Sequence, residues 1–264
     1  MSSSLEQSQT RPAMVGRSLI AAPPAKDTSS HLQEITQNPD LWALFFDLDG
    51  TLLEIAPRPE EVQLPAKVRA DLAQLHKRFG GAVAVITGRS RAFAEGLLDL
   101  PQIEVVGLHG VEFQGSQPPA LSQPLKLWIA AEAKAQGLLF EDKGAAVALH
   151  SRLNPAAAPV AERLMAKALN MAGKDYTLRL GHAVVELAPA QGDKGRALHR
   201  LMGKPAFKGR FPLAFGDDLT DEAMFDAAMI LGGEGVKIGT APTRARMRIP
   251  SPKALYQWIE RTSR

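Results

Sequence analysis

Cysteine is absent from the 264 residues, which excludes disulfides, thiolate metal sites and thiol nucleophiles. Any metal must therefore be held by oxygen or imidazole, and hard oxygen ligands favour magnesium, calcium or manganese. A strong charge of one sign is also lacking. The formal net charge of +3 is too small to point to nucleic acid, which would call for a clustered basic face, though it suits an anionic substrate. No apolar run approaches the length of a membrane span. The N-terminal MSSSLEQSQTRPAMVGRS has neither the charged start nor the apolar stretch of a secretory signal. The expectation is a soluble, cytoplasmic protein that binds neither membrane nor nucleic acid. Nothing in the sequence decides between monomer and homo-oligomer.

Hydrophobic residues at 45% and charged residues at 22% are ordinary for a globular chain with enough material for a core. Residues 1–38 are an exception. They are rich in Ser, Gln, Thr, Pro and Ala, and they cannot bury enough apolar surface to offset their ordering entropy. They read as a mobile tail, with a short helix near Leu32–Ile35.

From Trp42 the pattern changes. LWALFFD is an apolar run ending in acid, as in a buried strand of a parallel sheet. Val68, Leu72 and Leu75 recur at helical spacing between Pro65 and Phe79. GAVAVITG is a second buried strand, SRAFAEGLLDL a helix and IEVVGLHG a third strand. This alternation is that of an α/β sheet with crossover helices. LKLWIAAEAKAQ then reads as a helix, FEDKGAAVALHSR as a strand and PVAERLMAKALNMAG as another helix. YTLRL and AVVEL flank Gly181-His182, a hairpin turn. The first pattern resumes with a helix around Arg196–Leu201, the strand PLAFGDD, a helix over Asp221–Ala228, and a last strand and helix. The expected architecture is an α/β core of parallel sheet with helices on both faces, over 39–112 and 191–264, interrupted by an α+β cap over 113–190.

Asp47-Leu48-Asp49-Gly50-Thr51 follows the first strand. Ligands of open α/β sheets bind beyond the carboxyl ends of the strands, so both acids fall where chemistry is expected. Residues two apart in extended chain point the same way, and a cation would relieve the repulsion of two close carboxylates. A solvated turn would explain an isolated D-x-D-G equally well. Here the preceding apolar run and the partners downstream favour chemistry.

DLDGTL resembles the signature of the haloacid dehalogenase superfamily, most of whose members are phosphatases. Thr87 in VITGR resembles that family's phosphate-binding hydroxyl, and Lys194 in GDKGRAL its phosphate-binding lysine. Asp217 and Asp218 in FGDDLTDE resemble its second acidic motif. All four motifs stand in family order. The resemblance implies a magnesium-dependent phosphatase with an HAD-like Rossmannoid core. Asp47 would be the nucleophile and Asp49 the general acid and base. Asp47, the backbone carbonyl of Asp49, and Asp217 would be the metal ligands, with Asp218 and Asp221 orienting the site from behind. An acid at Asp49, which dehalogenase members lack, points to phosphoester hydrolysis.

Cap position and cap motifs narrow the resemblance. GLHGVEF, the FEDKG…LHSR strand, VVELAP and GDDLTDE are similar to stretches of the trehalose-6-phosphate phosphatases. That likeness covers about 42–235 and implies a sugar phosphate, trehalose 6-phosphate, as substrate. Glu141, Lys143 and Glu186 would then contact the distal sugar, with His109, Arg152 and Arg89 as further substrate contacts. Rival readings are a phosphatase of sucrose phosphate or mannosylglycerate phosphate, a phosphomutase and, more remotely, a receiver-like phospho-acceptor module. The last is disfavoured because its acceptor follows a later strand and it carries no cap.

Overall fold

The computed structural model describes residues 28–56, 58–181 and 183–264. Residues 1–27 of the expected tail, and His182 of the expected hairpin turn, lie outside the described residues. The short helix expected near Leu32–Ile35 is present and longer, as α1 (Thr28–Gln37), and it is packed on the fold where a mobile tail was expected. Leu32 and Ile35 sit in the core, and Thr36 bonds both the Thr262 hydroxyl and, through its carbonyl, the Arg78 guanidinium. Two apolar residues one turn apart are enough for a helix that tertiary packing holds in place.

The first half then runs β1 (Trp42–Phe46), α2 (Ala66–Arg78), β2 (Val83–Ile86), α3 (Arg91–Leu98) and β3 (Glu104–Val106). A second group of elements follows: α4 (Gln123–Ala135), β4 (Leu139–Asp142), β5 (Val147–His150), α5 (Ala158–Ala172), β6 (Tyr176–Gly181) and β7 (Val184–Pro189). The chain ends with α6 (Lys194–Met202), β8 (Phe211–Gly216), α7 (Glu222–Ile230), β9 (Glu234–Ile238), β10 (Met247–Ile249) and α8 (Pro252–Ser263).

Six strands form one sheet in the order β10-β9-β8-β1-β2-β3, every pair parallel. Strand alternation sends Leu44 and Phe46 of β1 to one face, where α1, α2, α3 and α8 pack. Ala43 and Phe45 go to the other face, against α6 and α7. Phe46 stacks on Phe215 of the neighbouring β8, with ring centroids 4.8 Å apart. A continuous apolar strand is the signature of a sheet covered on both sides, and β1 is that strand. Its carboxyl end delivers Asp47 between the ends of β2 and β8.

The second sheet is antiparallel, in the order β4-β5-β7-β6. Val147, Leu149, Val185 and Leu187 face α4 and α5 in a core of their own. The alternate residues face the first sheet. FEDKGAAVALHSR, expected as one strand, is a hairpin: β4 and β5 are joined by a turn at Lys143–Ala146, closed by the Lys143 amide on the Ala146 carbonyl. Gly144 takes φ +82°, a conformation few other residues adopt, and that allows the reversal inside an otherwise strand-like run.

Candidate active site

Lys194 opens α6, whose N-cap Asp193 accepts from the Arg196 amide. The buried Lys194 ammonium donates to Asp47 Oδ1 at 2.6 Å and to Asp221 Oδ1 at 2.7 Å. The other oxygen of Asp221 accepts from the amides of Asp217 and Asp218 at 2.9 and 3.0 Å. Asp221 therefore fixes the turn after β8 and the lysine at once. Its own carboxylate lies among the acids of the site. Asp218 accepts from both the amide and the hydroxyl of Thr220 at 2.7 Å.

Asp47, Asp217 and Asp221 each bring a carboxylate oxygen within 4.8 Å of the others. Both oxygens of Asp221 are already bonded, whereas Asp217 Oδ1 is buried without a partner. A Cβ on Gly50 would lie 2.2 Å from Asp217 Oδ2, so only glycine, here at φ +81°, lets the two loops meet. Burial, with Asp221, Asp217 and Asp218 nearby, pushes the Asp47 carboxyl well above the usual range despite Lys194. Burial, with Asp221 and Asp218 nearby, pushes Asp217 up to about 7 despite Lys194 and Lys237. Asp218 goes the other way: burial opposes ionisation there, but Lys194 and the Thr220 bonds outweigh it. An orphaned buried oxygen beside two carboxyls that resist ionising together fits a hard divalent cation.

The Asp49 carboxylate is not part of this acidic group. Arg89 holds it at two points, Nε to Oδ2 at 2.7 Å and Nη2 to Oδ1 at 2.5 Å, while the guanidinium lies over the Phe93 ring. Thr87 is fully buried at the end of β2, and its hydroxyl oxygen accepts from the Arg89 amide at 3.1 Å. That leaves its own proton to donate.

A cleft of about 220 Å³ opens above these groups. Asp47, Asp49, Arg89, Lys194, Asp217 and Asp218 line its floor. Glu141, Lys143, His150 and Glu186 line it from the second sheet. Register explains why: Glu141, Ala148 and Glu186 are direct neighbours across β4, β5 and β7. Glu186 Oε2 meets His109 Nε2 at 2.9 Å, and Glu186 Oε1 lies 3.2 Å from the Lys143 ammonium. Burial disfavours the charged form of Glu186, yet Lys143 and His109 overcome it and hold the carboxyl far below its usual range. Lys143 also donates to the Gly88 carbonyl at 3.4 Å, and Arg152 donates to the Ala56 carbonyl. Both bonds run from the second sheet to loops of the first.

All the candidate residues except the wholly buried Thr87 and Asp221 thus line one cleft. Two contributors carried no assignment in the sequence analysis. His150 bonds Glu141 Oε2 at 2.8 Å. Lys237 of β9 donates to the Asp217 carbonyl from a fully buried position. A lysine inside an apolar strand was the available signal for Lys237.

The comparisons agree with one another. A model of the trehalose-phosphatase family matches residues 45–248. A probable trehalose-phosphate phosphatase of Sinorhizobium fredii is 39% identical over 247 residues, covering 90% of this chain and 93% of the relative. The trehalose-6-phosphate phosphatase of Escherichia coli is 34% identical over 240 residues, covering 86% and 90%. The C-terminal domain of the C. albicans trehalose-6-phosphate phosphatase has a similar fold, with TM-score 0.74 at 22% identity, covering 92% of this chain and 99% of that one. A haloacid dehalogenase-like hydrolase from Bacteroides thetaiotaomicron shares it more loosely, at TM-score 0.54 and 16% identity, covering 83% and 99%.

Proposed function

The chain belongs to the trehalose-phosphatase family of phosphoric monoester hydrolases, and from that premise we propose that it releases phosphate from trehalose 6-phosphate through an aspartyl-phosphate on Asp47. The observation that carries the reading is the meeting of Asp47 with Lys194 at 2.6 Å beside the orphaned oxygen of Asp217.

Magnesium is the resident ion we propose. The carboxylates of Asp47 and Asp217 and the backbone carbonyl of Asp49 would hold it. When bound, it supplies charge that screens the nucleophile from the phosphate and polarises the phosphoryl group. In the first step an Asp47 oxygen bonds phosphorus while the bond from phosphorus to the sugar oxygen breaks. For this step Asp49 must first take up a proton on an oxygen that the Arg89 fork releases, and it then gives that proton to the leaving oxygen. In the second step water attacks the aspartyl-phosphate, Asp49 takes the water's proton, and inorganic phosphate leaves. Lys194 and the Thr87 hydroxyl hold the phosphate oxygens through both steps, and Arg89 adds positive charge at the same end of the cleft.

We assign 39–112 and 191–264 to the catalytic core, with α1 packed on it, and 113–190 to the cap. Glu141, Lys143 and Glu186 contact the distal glucose. Fixed polar groups suit that task, because a site built around hydroxyls leaves buried groups unpaired when the wrong sugar enters. His109 and Arg152 tie this cap to the core above the site. No helix among the described residues is long and apolar enough to cross a membrane, and a cytoplasmic location is part of the same proposal.

A substrate panel tests this reading. Trehalose 6-phosphate should be turned over with kcat/KM at least about a hundredfold above sucrose phosphate, mannosylglycerate phosphate and glucose 6-phosphate, the margin that two or more lost polar contacts produce. Equal rates across the panel would remove the disaccharide assignment.

A further inference from the structure

Four cap side chains and one from the core form an ordered run above the cleft. His150 meets Glu141 at 2.8 Å, and Lys143 follows at 3.9 Å from Glu141 and 3.2 Å from Glu186. His109 then closes the run on Glu186 at 2.9 Å. Each glutamate is thus flanked by a histidine on one side and shares the single lysine on the other. The spacing is uneven. The histidine contacts are full hydrogen bonds, while the lysine stands beyond the 2.7–2.9 Å of a charge-assisted bond, most clearly from Glu141.

Both carboxyls are held below their usual range, Glu141 by His150 and Lys143 against the cost of burial and Glu186 by Lys143 and His109 against the same cost. An ionised carboxylate only accepts, so the proton of each pair sits on the imidazole Nε2. Left alone, a carboxylate 3.9 Å from an ammonium would close on it. That collapse would bind Glu141 and Lys143 to each other and turn both away from a ligand. Ala148, between the two glutamate strands, is too small to prevent it.

We propose that His150 and His109 are positioning residues that clamp one oxygen of Glu141 and of Glu186, splaying the two acids about Lys143 so that all three can meet sugar hydroxyls. The Glu186 oxygen facing Lys143 is buried and lacks a hydrogen bond of good geometry, as expected of an acceptor kept for a ligand. The two clamps differ in origin. His150 lies on β5 beside its acid, so its clamp is built into the cap. His109 comes from the turn after β3 and holds left-handed backbone angles of φ 57° and ψ 26°. Its clamp therefore crosses from core to cap and exists only when the two are together.

The inference rests on the sugar-phosphate reading, and its test separates the two. Steady-state kinetics on the full chain would compare His150→Ala, His150→Gln, Glu141→Gln and the His150→Ala/Glu141→Gln pair, on trehalose 6-phosphate and on para-nitrophenyl phosphate. His150→Ala should raise KM for the disaccharide phosphate about tenfold, the scale of one bond to a charged group, with a clearly smaller effect on the small ester. His150→Gln, which keeps an N–H at similar reach, should recover most of that loss. In the Glu141→Gln background, removing His150 should add less than about a twofold change, because the clamped group is already altered. Full additivity, or no rescue by glutamine, would overturn the clamp.

Side-chain ¹⁵N NMR gives a readout that needs no substrate. His150 should be protonated at Nε2 in the wild type and lose that preference in Glu141→Met, which removes the acceptor, and His109 should respond in the same way to Glu186→Met. Unchanged spectra would overturn the proposal even if kinetics shifted. Should the wild type fail to hydrolyse trehalose 6-phosphate, the substrate reading falls, and NMR alone decides the clamp.

Discussion

Arg89 grips both oxygens of Asp49, with Nε 2.7 Å from Oδ2 and Nη2 2.5 Å from Oδ1. The planar fork fixes the plane of the carboxyl group that we assign to proton transfer. Lysine would keep the charge and lose the second bond. Arg89→Lys should lower kcat by about tenfold to a hundredfold on the disaccharide phosphate and on a small ester alike, within the range of acid–base assistance. Steady-state kinetics on both substrates checks this, and a loss confined to the disaccharide would move Arg89 from the chemistry to sugar recognition.

Lys194 is the buried cation between Asp47 and Asp221. Removing it leaves two buried carboxyls uncompensated. Lys194→Met should cost about 3 kcal/mol of stability as well as activity, since breaking a buried pair from one side strands the other charge. Urea denaturation measures the first and phosphate release the second. Adding Asp221→Asn should recover part of the stability and none of the activity. Unaltered stability in Lys194→Met would mean that the pair bears no structural load.

Glu141→Ala and Glu186→Ala separate recognition from chemistry. Each should reduce kcat/KM for trehalose 6-phosphate by about tenfold to a hundredfold and affect para-nitrophenyl phosphate much less. Equal losses on the two substrates would place these acids in the reaction itself.

Glu186 also sets an acid limit. Its folded carboxyl is held below the unfolded value of 4.5, so its contribution is complete above that pH and is lost as pH falls through the folded value. Thermal unfolding from about pH 6 down to about pH 3 should therefore show a decline in the wild type that is shallower in Glu186→Gln. Identical slopes would show that Lys143 and His109 do not stabilise the ionised acid.

The core was legible because its strands are continuous apolar runs that end in the residues of the site. LWALFFD leads into Asp47, and PLAFGDD ends in Asp217 and Asp218. The cap hairpin was not, because AVALH continues the β-like pattern and only Gly144 marks the reversal. Helix α1 was legible only as a short helix near Leu32–Ile35: those two residues are few among polar neighbours, and the helix owes its full length and its place to packing against distant parts of the chain. Candidate residues could be named singly from their motifs. Their pairings could not. The hold of Arg89 on Asp49, His150 on Glu141 and Lys237 on the Asp217 carbonyl depends on register and loop geometry, which no local pattern encodes.

The most direct test is phosphate release from trehalose 6-phosphate by the wild type and by Asp47→Asn, each with magnesium and after chelation. Wild type with magnesium should turn over, chelation should abolish that activity, and readdition of magnesium should restore it. Asp47→Asn should remain folded by circular dichroism and lose at least about a thousandfold in kcat, as expected when a nucleophile is removed. Substantial turnover by Asp47→Asn would contradict the covalent mechanism, and undiminished turnover by the chelated wild type would contradict the metal.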